Sequence, residues 1–431
     1  DNKVAAMSGV ETLVVTSTNA DVAASIDLTN VTGLVTVDAQ FTNNANADQI
    51  QIDGLAAGVK VTTTQTETAD NLVLNLKDAT GSADTISLQI DAIETANDVF
   101  NVDAAGIEVL NVNQKDAAAS VNLDLAGVTA TTGSKTTVNF TGVGGVVAKS
   151  MGSTIDTVIA TGTGALTVAA ADRANTAMTI TGGQGADSIA LEHTSDVLDG
   201  GAGTNDTLVV SLSAILGGIS VDLGATDQIV SLNGGANSAA QSNFENVNLN
   251  AFTGFGAVVA GSTGANTIVG TVLADQITGG NGADVVTGGA GNDAIDFTEA
   301  VAATDKFIFS GGTTLAAQTS ANGRDTIVGF GTADTINVAA LGDGSTGGGI
   351  TAITAAAAQG NLTTDKAVVI STTGGAANLT LLGTATVSDW TDLTEVAAYL
   401  TERFTSAIAG TQKNVIVVND TSGNNDTSYV Y

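Results

Sequence analysis

Aspartate side chains recur every nine residues in a glycine-rich part of the chain. Asp284 and Asp293 each end a Gly-Gly-x-Gly-x-Asp run, and an aliphatic residue follows each of them two positions later. Counting back in nines places Asp275 and Asn266 at the same position. Carboxylate and carbonyl oxygens are the ligands of hard cations, whereas zinc favours nitrogen and sulfur. The spacing therefore predicts that these residues bind a hard divalent cation.

Two further blocks use the same spacing. In one of them, residues 182–187 give a full glycine-rich turn, Asp196 follows nine residues later without glycines, and Asp206 ends a turn with one extra residue. In the other, Asp325 and Asp334 are nine residues apart. The residues predicted to form metal sites are Gly182, Gly183, Gly185, Asp187, Asp196, Gly200, Gly203, Asn205, Asp206, Asn266, Asp275, Gly279, Gly280, Gly282, Asp284, Gly288, Gly289, Gly291, Asp293, Asp325 and Asp334.

A six-residue glycine-rich loop followed by a three-residue strand makes half of one coil. Glycine permits the positive φ angles and the close backbone approach of such a loop, and carbonyls turned inward would line it with oxygen. Loops two repeats apart then stack on one edge. This predicts three stacked pairs, Asp275 with Asp293, Asn266 with Asp284, and Asp187 with Asp206. Stacked carboxylates repel one another unless a cation lies between them, and about six to eight oxygens describe a Ca²⁺ site better than an octahedral Mg²⁺ site.

The charge of the chain excludes several partners. Its 431 residues include 44 acidic and 12 basic side chains, a formal net charge of −32. A surface this acidic repels phosphates and anionic lipid head groups, so we expect no nucleic-acid partner. We also expect no membrane insertion, because the sequence has no run of about 18 apolar residues.

Few residues of this chain could perform catalysis. The sequence has no cysteine, which excludes a disulfide scaffold and thiol chemistry, and its single histidine, His193, is interpreted as an ordinary loop residue. It has no G-x-S-x-G, H-E-x-x-H or phosphate-loop motif. Glycoside hydrolysis uses a pair of carboxylates that has no short sequence motif, so a motif search does not exclude it. The acids of this chain, however, follow turns and not the pattern of a cleft. We therefore predict a protein that is not an enzyme.

The composition predicts an all-β fold with a thin core. Hydrophobic residues make up 43% of the chain but aromatic residues only 3%, and Thr and Val favour strands while Gly, Asn and Asp favour turns. Three acids, Asp48, Asp84 and Asp98, precede alternating strands in the first 170 residues but lack glycines, so we interpret them as solvated turn residues. A phrase of the type Val/Ile-Glu-x-Leu recurs around Glu11, Glu108 and Glu245 and indicates domain-scale duplication.

The nonapeptides of residues 279–296 resemble the RTX (repeats-in-toxin) family, whose Gly-Gly-x-Gly-x-Asp-x-aliphatic-x repeats form a Ca²⁺-binding parallel β-roll. Residues 182–190 match the repeat once. The segment from Gly323 to Leu341 is similar to the one that follows the roll in many RTX proteins, with Gly329 in place of the usual acid. In style the chain looks like the C-terminal, lattice-forming part of a Caulobacter-type bacterial surface-layer (S-layer) protein.

This resemblance implies a secreted, extracellular protein at the bacterial cell surface. It implies type I secretion, folding on several Ca²⁺ ions outside the cell, and self-association into a lattice or filament. It also implies a contact with cell-surface polysaccharide through a region outside this chain. Because the chain begins without an initiator Met and ends within a strand pattern, we expect a fragment or a processed product.

Changes in composition and repeat pattern along the sequence predict four regions. They are an N-terminal β-solenoid or sandwich-like region (1–175), a first RTX block with a following β segment (176–260), a second RTX block (261–345), and a C-terminal cap (346–431) with a helix at about 389–409 and terminal strands. The fold class is thus an elongated all-β solenoid with parallel β-roll blocks and one short helix.

Three functions fit the sequence. The first is a structural subunit of a surface layer that calcium folds and assembles. The second is an RTX adhesin or biofilm-matrix filament, and the third is the C-terminal secretion and folding module of an RTX hydrolase.

Overall fold

The computed structural model describes a chain built almost entirely of short strands. The described residues are 7–17, 24–41, 48–65, 70–93, 99–118, 120–173, 176–212, 217–309, 325–330 and 334–337, together with the strands at 353–354, 367–372, 415–420 and 427–430. Among them, the one helical element is a 3₁₀ turn, Ala170–Asp172. None of these residues belongs to a helix long and apolar enough to cross a membrane.

The strands, in chain order, are β1 Met7–Ser8, β2 Thr12–Ser17, β3 Ala24–Asp27, β4 Val31–Thr32, β5 Thr36–Phe41, β6 Gln49–Leu55, β7 Lys60–Gln65, β8 Asn71–Leu76, β9 Thr85–Ile93, β10 Val99–Ala105, β11 Val109–Gln114, β12 Ser120–Asp124, β13 Val128–Thr129, β14 Thr136–Gly142, β15 Gly145–Lys149, β16 Ile155–Ala160, β17 Leu166–Val168, β18 Thr179–Thr181 and β19 Ser188–Leu191. They continue with β20 Val197–Asp199, β21 Thr207–Val210, β22 Ile219–Asp222, β23 Ile229–Leu232, β24 Gly235–Ala236, β25 Gln241–Ser242, β26 Asn246–Asn248, β27 Ala257–Ala260, β28 Thr267–Val269, β29 Gln276–Thr278, β30 Val285–Thr287, β31 Ala294–Asp296, β32 Lys306–Ile308, β33 Thr326–Val328, β34 Thr335–Asn337, β35 Ile353–Thr354, β36 Ala367–Thr372, β37 Val415–Asp420 and β38 Thr427–Val430.

The chain divides into two compact units. Unit 1 contains Asp1–Leu212, Thr226–Gln228 and Asn237–Val247, and unit 2 contains Ser213–Ala225, Ile229–Ala236 and Asn248–Tyr431.

Unit 1 consists of two parallel sheets, and the chain passes back and forth between them. One sheet has the order β2-β5-β7-β9-β11-β14-β16-β18-β20-β25, and the other runs β3-β6-β8-β10-β12-β15-β17-β19-β21. Neighbouring strands of one sheet are therefore separated along the chain by at least one strand of the other sheet, which is the connectivity of a solenoid.

Aliphatic side chains fill the inside of unit 1 in columns. Strands such as β10 and β11 alternate buried and partly exposed residues, because successive side chains of a strand point to opposite faces. Parallel register then stacks the buried residues of successive coils, as in the column Ile86, Leu110, Val138, Val158, Ile180 and Leu198. Phe41 and Phe100 add an edge-to-face aromatic contact with ring centroids 5.7 Å apart.

Unit 2 repeats this architecture with shorter strands. One of its sheets has the parallel order β22-β27-β29-β31-β33, and the other has the parallel order β28-β30-β32-β34. At the start of the first of these sheets, β23 pairs antiparallel with β22, and β24 pairs antiparallel with β23. Beyond β33 the first sheet continues through β38, β37, β36 and β35, with antiparallel pairing at β33–β38 and β37–β38.

The nine-residue repeat has the geometry that the sequence predicts. Thr267 pairs with Val285 and Gln276 with Ala294, so strands eighteen residues apart are neighbours in one sheet. The aliphatic residue two places after each repeat acid is the buried one, as at Ile268, Ile277, Val286 and Ile295. Each three-residue strand thus contributes one side chain to the core.

The all-β parallel solenoid is therefore confirmed. The parallel ladders of unit 1 favour a solenoid over the sandwich-like alternative for the described part of residues 1–175. The helix expected at about 389–409 lies outside the described residues. The four-region division stays a prediction.

Candidate calcium-binding edges

Acidic side chains form rows along the edges of the coils. In each row, the carboxylate at one position accepts a hydrogen bond from the backbone N–H of the corresponding residue one coil earlier. We name the rows by their members: the first row is Asp187, Asp206 and Glu245, the second row is Asp275, Asp293 and Asp325, and the third row is Asn266, Asp284, Asp305 and Asp334.

The first row lies in unit 1. The N–H of Leu166 donates to Oδ1 of Asp187 at 2.6 Å, and the N–H of Asp187 donates to Oδ1 of Asp206 at 2.7 Å. The N–H of Asp206 donates in turn to Oε2 of Glu245 at 2.8 Å. The predicted stacking of Asp187 with Asp206 is confirmed, and Glu245 is a member that the metal-site prediction does not include.

The second row lies in unit 2. The N–H of Ala257 donates to Oδ1 of Asp275 at 2.6 Å, the N–H of Asp275 to Oδ1 of Asp293 at 2.9 Å, and the N–H of Asp293 to Oδ1 of Asp325 at 3.1 Å. Three aspartates are therefore stacked on successive coils, and the predicted pair of Asp275 and Asp293 is confirmed.

The third row occupies the other set of loops in unit 2. The N–H of Asn266 donates to Oδ1 of Asp284 at 2.8 Å, which confirms that stacked pair. The N–H of Asp284 donates to Oδ1 of Asp305, and that of Asp305 to Oδ1 of Asp334, both at 2.9 Å. Asp305 is also absent from the prediction. It precedes Lys306 and Phe307 in the Asp-x-apolar pattern, but it lies 21 residues after Asp284 rather than 18.

The repeat acids also close their own loops. Oδ2 of Asp187 accepts the N–H of Gly183, and Oδ2 of Asp275 accepts the N–H of Thr271, both at 2.6 Å. Each contact spans four residues. The aspartate thus fixes its own loop and the coil before it, and the amide oxygen of Asn266 makes the same loop contact with the N–H of Ser262 at 2.6 Å. This explains why each repeat has a side-chain oxygen at this position.

Burial makes the negative charge of these rows unfavourable. It is the main cause that raises the pKa of Asp284 and of Asp293 to about 7, with a smaller contribution from Asp305 to the former and from Asp275 to the latter. Burial, followed by the charge of Asp293, raises the pKa of Asp325 to about 8. In the first row, burial raises the pKa of Asp206 to about 6. Without a cation, the carboxylates would tend to bind protons near neutral pH.

Two carboxylate oxygens in these rows have unused bonding capacity. Oδ2 of Asp206 and Oδ2 of Asp293 are buried and accept no hydrogen bond in the described part of the chain. An unpaired oxygen on a buried carboxylate is costly, because its hydration is lost without replacement. A cation would supply the missing contact.

Glycine backbone lies directly against these carboxylates. A Cβ placed on Gly279 would come within 2.7 Å of Oδ2 of Asp284, and one placed on Gly288 would overlap Oδ2 of Asp293. Gly280 and Gly289 have φ of +102°, and Gly291 has φ of +122°. These loops therefore require glycine both for space and for backbone conformation.

The donor set fits a hard cation that binds oxygen. Side chains alone do not complete such a site, since no group of three or more His, Cys, Asp or Glu side chains suited to a metal occurs within the described ranges. Backbone carbonyls of the loops would supply the other ligands, as Ca²⁺ commonly accepts. Whether the 21 residues named above bind metal stays a prediction.

Two of those residues have surroundings that differ from those of the other repeat positions. Asn205 is the extra residue of its turn; it is exposed and has φ of +74°, a conformation that asparagine tolerates better than most residues. Asp196 is buried against the guanidinium of Arg173, which contacts both carboxylate oxygens at 2.7 and 2.9 Å. The metal-ligand role of Asp196 stays a prediction, and the structure places a guanidinium against the carboxylate that would bind the ion. His193 lies in the adjoining loop, as expected.

The acids of the N-terminal coils also differ from the interpretation. Asp48 is only 3% exposed and its N–H donates to Oδ1 of Asp70 at 3.0 Å, so it is not a solvated turn residue. The N–H of Asp84 donates to Oε2 of Glu108 at 3.0 Å. Asp98 lies outside the described residues. The recurring glutamate phrase identified Glu108 and Glu245, although not their role in the rows.

Comparison with known proteins agrees with this geometry. The family described as RTX calcium-binding nonapeptide repeat (4 copies) matches residues 179–207 and 260–295. These segments contain the start of the first row and the repeat loops of the second and third rows. No curated protein and no solved structure matched the chain. The chain thus contains RTX repeats, which are calcium-binding motifs and typical of secreted proteins.

Proposed function

We propose that this chain is a structural subunit of an extracellular bacterial surface layer, folded and assembled by Ca²⁺. The observation that carries the proposal is the stacking of buried carboxylates in three rows, with a raised pKa at seven of their members (Asp187, Asp206, Asp275, Asp284, Asp293, Asp305 and Asp325). Such an edge is unstable as a row of bare charges at neutral pH, and its oxygen ligands and family match support calcium as the counter-ion.

The rows would hold calcium through particular residues of this chain. Asp187 with Asp206, Asp275 with Asp293, and Asp284 with the amide oxygen of Asn266 supply the side-chain oxygens, and the glycine-rich loops supply carbonyls. A bound Ca²⁺ supplies positive charge between coils. At free calcium about ten- to a hundredfold above Kd, each ion adds roughly 1.5 to 3 kcal/mol to the stability of the folded state.

Calcium availability makes such an edge suitable for export. Cytosolic free calcium is low, so the acidic rows would disfavour the folded repeats until the chain leaves the cell. Outside the cell, calcium would neutralise the rows. The net charge of −32 also means that copies of this chain repel one another, so cations would favour self-association as well as folding.

The role at the surface is proposed to be structural rather than enzymatic. Two units built on the same repetitive ladders offer repeated, regular faces for packing copies side by side. The sequence style that resembles surface-layer proteins supports the lattice over other RTX assemblies.

Addition of calcium to purified, calcium-free chain tests this proposal. Circular dichroism should show a gain of β-structure in millimolar Ca²⁺, with reversal by chelator and no equivalent gain in Mg²⁺. Negative-stain electron microscopy of the same sample should then show planar arrays. Fibres would favour an adhesin or matrix filament, and a persistent monomer would contradict a lattice-forming subunit.

A further inference from the structure

One arginine is buried at the edge opposite the first row. Arg173 directly follows the 3₁₀ turn Ala170–Asp172, and its side chain is completely enclosed. Its Nη1 donates to Oδ2 of Asp196 at 2.9 Å, and its Nη2 donates to Oδ1 of the same carboxylate at 2.7 Å. Two further N–H groups donate to carbonyl oxygens, from Nη1 to Ala190 at 2.6 Å and from Nη2 to Thr176 at 3.3 Å. Nε donates to Sδ of Met178 at 3.3 Å and lies 3.8 Å from Oε2 of Glu192.

Asp196 has the same backbone contact as the repeat acids. Its Oδ1 accepts the N–H of Met178 at 2.9 Å, and the two residues are 18 apart. The separation is also 18 for Asn266 with Asp284 and for Asp275 with Asp293. Asp196 therefore makes the same coil-to-coil contact as the members of the three rows. We call each such contact, from a backbone N–H to the side-chain oxygen one coil later, a rung.

The surroundings of Asp196 differ from those of the other rungs. Besides the guanidinium, its Oδ2 accepts the N–H groups of Glu192 at 3.1 Å and His193 at 2.9 Å. In contrast, Oδ2 of Asp206 and Oδ2 of Asp293 are buried and accept no hydrogen bond from any described residue. Both oxygens of Asp196 thus accept hydrogen bonds within the protein, and the guanidinium beside them supplies a positive charge that Glu192 also faces at 3.8 Å.

The local chain is built to bring this arginine inside. Residues 169–178 connect β17 to β18 with ten residues, whereas residues 279–284 connect β29 to β30 with six. The additional residues contain the 3₁₀ turn and place Arg173 against carbonyls and a carboxylate. Arginine stays charged at every physiological pH, and its planar fork matches a carboxylate in two places.

We propose that Arg173 is a resident cation that takes the place of calcium at Asp196, so that this rung forms without metal. The proposal rests on the proposed function only in that calcium is required at the other rungs. It follows that the two edges of these coils differ: the edge containing Asp196 is ordered before calcium binds, and the edge containing the first row is ordered by calcium. It also follows that residues 179–207 bind fewer ions than their repeat pattern indicates.

Hydrogen exchange of the full chain in excess chelator tests this inference directly. The amides of Met178, Glu192 and His193 donate to Asp196, and they should exchange about 10- to 100-fold more slowly than those of Asp187 and Asp275, as expected for charge-assisted bonds that persist. Equal exchange of the two groups in chelator, with protection of both only after calcium is added, would overturn the proposal.

The variant Arg173→Met separates the charge of the arginine from its packing. It should lose the protection of Met178, Glu192 and His193 in chelator and regain it in millimolar Ca²⁺, because calcium can then enter as the cation. Lys149→Met is the matched control, since Lys149 lies 3.4 Å from Asp172 in a partly exposed ion pair and should leave these amides unchanged.

Two results with Arg173→Met would overturn the resident-cation role. One is protection that persists in chelator, and the other is a loss of protection that calcium does not restore and that Arg173→Lys also shows, because a charge-conserving variant would then fail and the arginine would act through its packing. Failure of the proposed function looks different: Asp187 and Asp275 would be as protected in chelator as in calcium, and Arg173→Met would still report on Asp196.

Discussion

The N-terminal coils of unit 1 and the nonapeptide coils differ in where their stability originates. Strands such as β10 and β11 have seven and six residues and bury three inward side chains each. Strands of the repeat, such as β29 and β31, have three residues and bury one. At about 25 cal/mol per Å² of buried apolar surface, a coil of short strands gains much less from its core. Its edges must contribute the remainder.

The edges of the two regions are correspondingly different in chemistry. In the N-terminal coils, the Oγ1 of Thr154 accepts the N–H of Ala130 at 2.9 Å, and the Thr131 hydroxyl bonds to Glu108 and lowers the pKa of that carboxyl. In the repeat coils, burial raises the pKa of Asp284 and Asp293. Around Glu108, hydroxyls and a hydrogen-bonded glutamate satisfy the edge without metal, but both carboxylate oxygens of Asp48 and Oδ2 of Asp84 are buried and accept no hydrogen bond from a described residue. In the repeat coils, we propose that a cation or protons complete the edge.

Removal of calcium should separate the two regions and gives the largest expected effect. With chelator, the repeat coils should lose their β-structure while the N-terminal coils keep theirs, because each N-terminal strand buries more apolar side chains and the repeat edges carry the stacked carboxylates whose pKa burial raises. Limited proteolysis followed by mass spectrometry should leave a resistant fragment that ends near the first repeat, at about residue 176. An identical digest and an identical dichroism spectrum with and without calcium would contradict the comparison.

Substitution of one acid from the second row and one from the third row should destabilise the second repeat block alone. Asp284→Ala combined with Asp293→Ala should reduce stability by about 1.5 to 3 kcal/mol for each ion lost and lower calcium affinity in residues 261–297. Hydrogen exchange should show residues 182–209 unchanged.

The matched control for that pair is Asp296→Ala. Asp296 belongs to the same coils, but its Oδ1 accepts the N–H of Thr298 in its own turn and it is not in a row. It should alter calcium affinity little. Equal losses of protection in both blocks after the double substitution would argue against independent repeat edges.

Acid should partly replace calcium in the repeat coils. The pKa values of Asp284 and Asp293 are about 7 and that of Asp325 is about 8 in the folded chain, against an ordinary value of 3.8. The folded state therefore binds more protons than the unfolded state between pH 4 and 8, and its stability falls as the pH rises through that range. In chelator, β-structure of the repeats should increase from pH 8 to pH 5.

Calcium binding should show the opposite dependence on pH. Protons and Ca²⁺ compete for the same carboxylates, so the calcium midpoint measured by dichroism should move to higher concentration as the pH falls from 8 to 6. A midpoint that is independent of pH would indicate that these acids are not the ligands.

Substitution of a loop glycine should destabilise the repeats less than loss of the stacked acids. The cost should depend on whether that glycine has a positive φ and lies against backbone. Gly289 has φ of +102°, and a Cβ there would overlap the carbonyl oxygen of Thr271, so Gly289→Ala should cost about 1 to 3 kcal/mol in saturating calcium. Gly264 has only Ser262 Oγ near the same point, at 3.9 Å, so Gly264→Ala should lie within about 0.5 kcal/mol of the unmodified chain. Thermal unfolding measures both, and similar losses would contradict the oxygen-lined loop.

Much of the repeat region could be predicted from sequence because its period is regular. Nine-residue spacing fixes which loops stack, and the inward position of Ile277 and Ile295 follows from their place two residues after the acid. The strands that follow Asp48, Asp84 and Asp98 could be predicted from their alternating pattern.

The missed members of the site lie at irregular separations. Glu245 is 39 residues from Asp206, Asp305 is 21 from Asp284, and Glu108 is 24 from Asp84, because inserted segments lengthen those coils. Arg173 has no sequence signal at all, since its contact with Asp196 depends on how the 3₁₀ turn folds inward.

The smallest effect is expected at an edge of the N-terminal coils that uses hydroxyl groups instead of charged side chains. Thr154→Val removes the acceptor for the N–H of Ala130 and one contact of Thr136, whose hydroxyl keeps its bond to the carbonyl of Ile107 at 2.9 Å. One unsatisfied N–H should cost about 1 to 2 kcal/mol. Because this rung is neutral, the cost should be the same in chelator and in calcium when unfolding of the N-terminal coils is followed by urea titration. A cost that appears only in chelator would mean that calcium also supports the N-terminal coils, and the distinction between the two regions would then be one of degree.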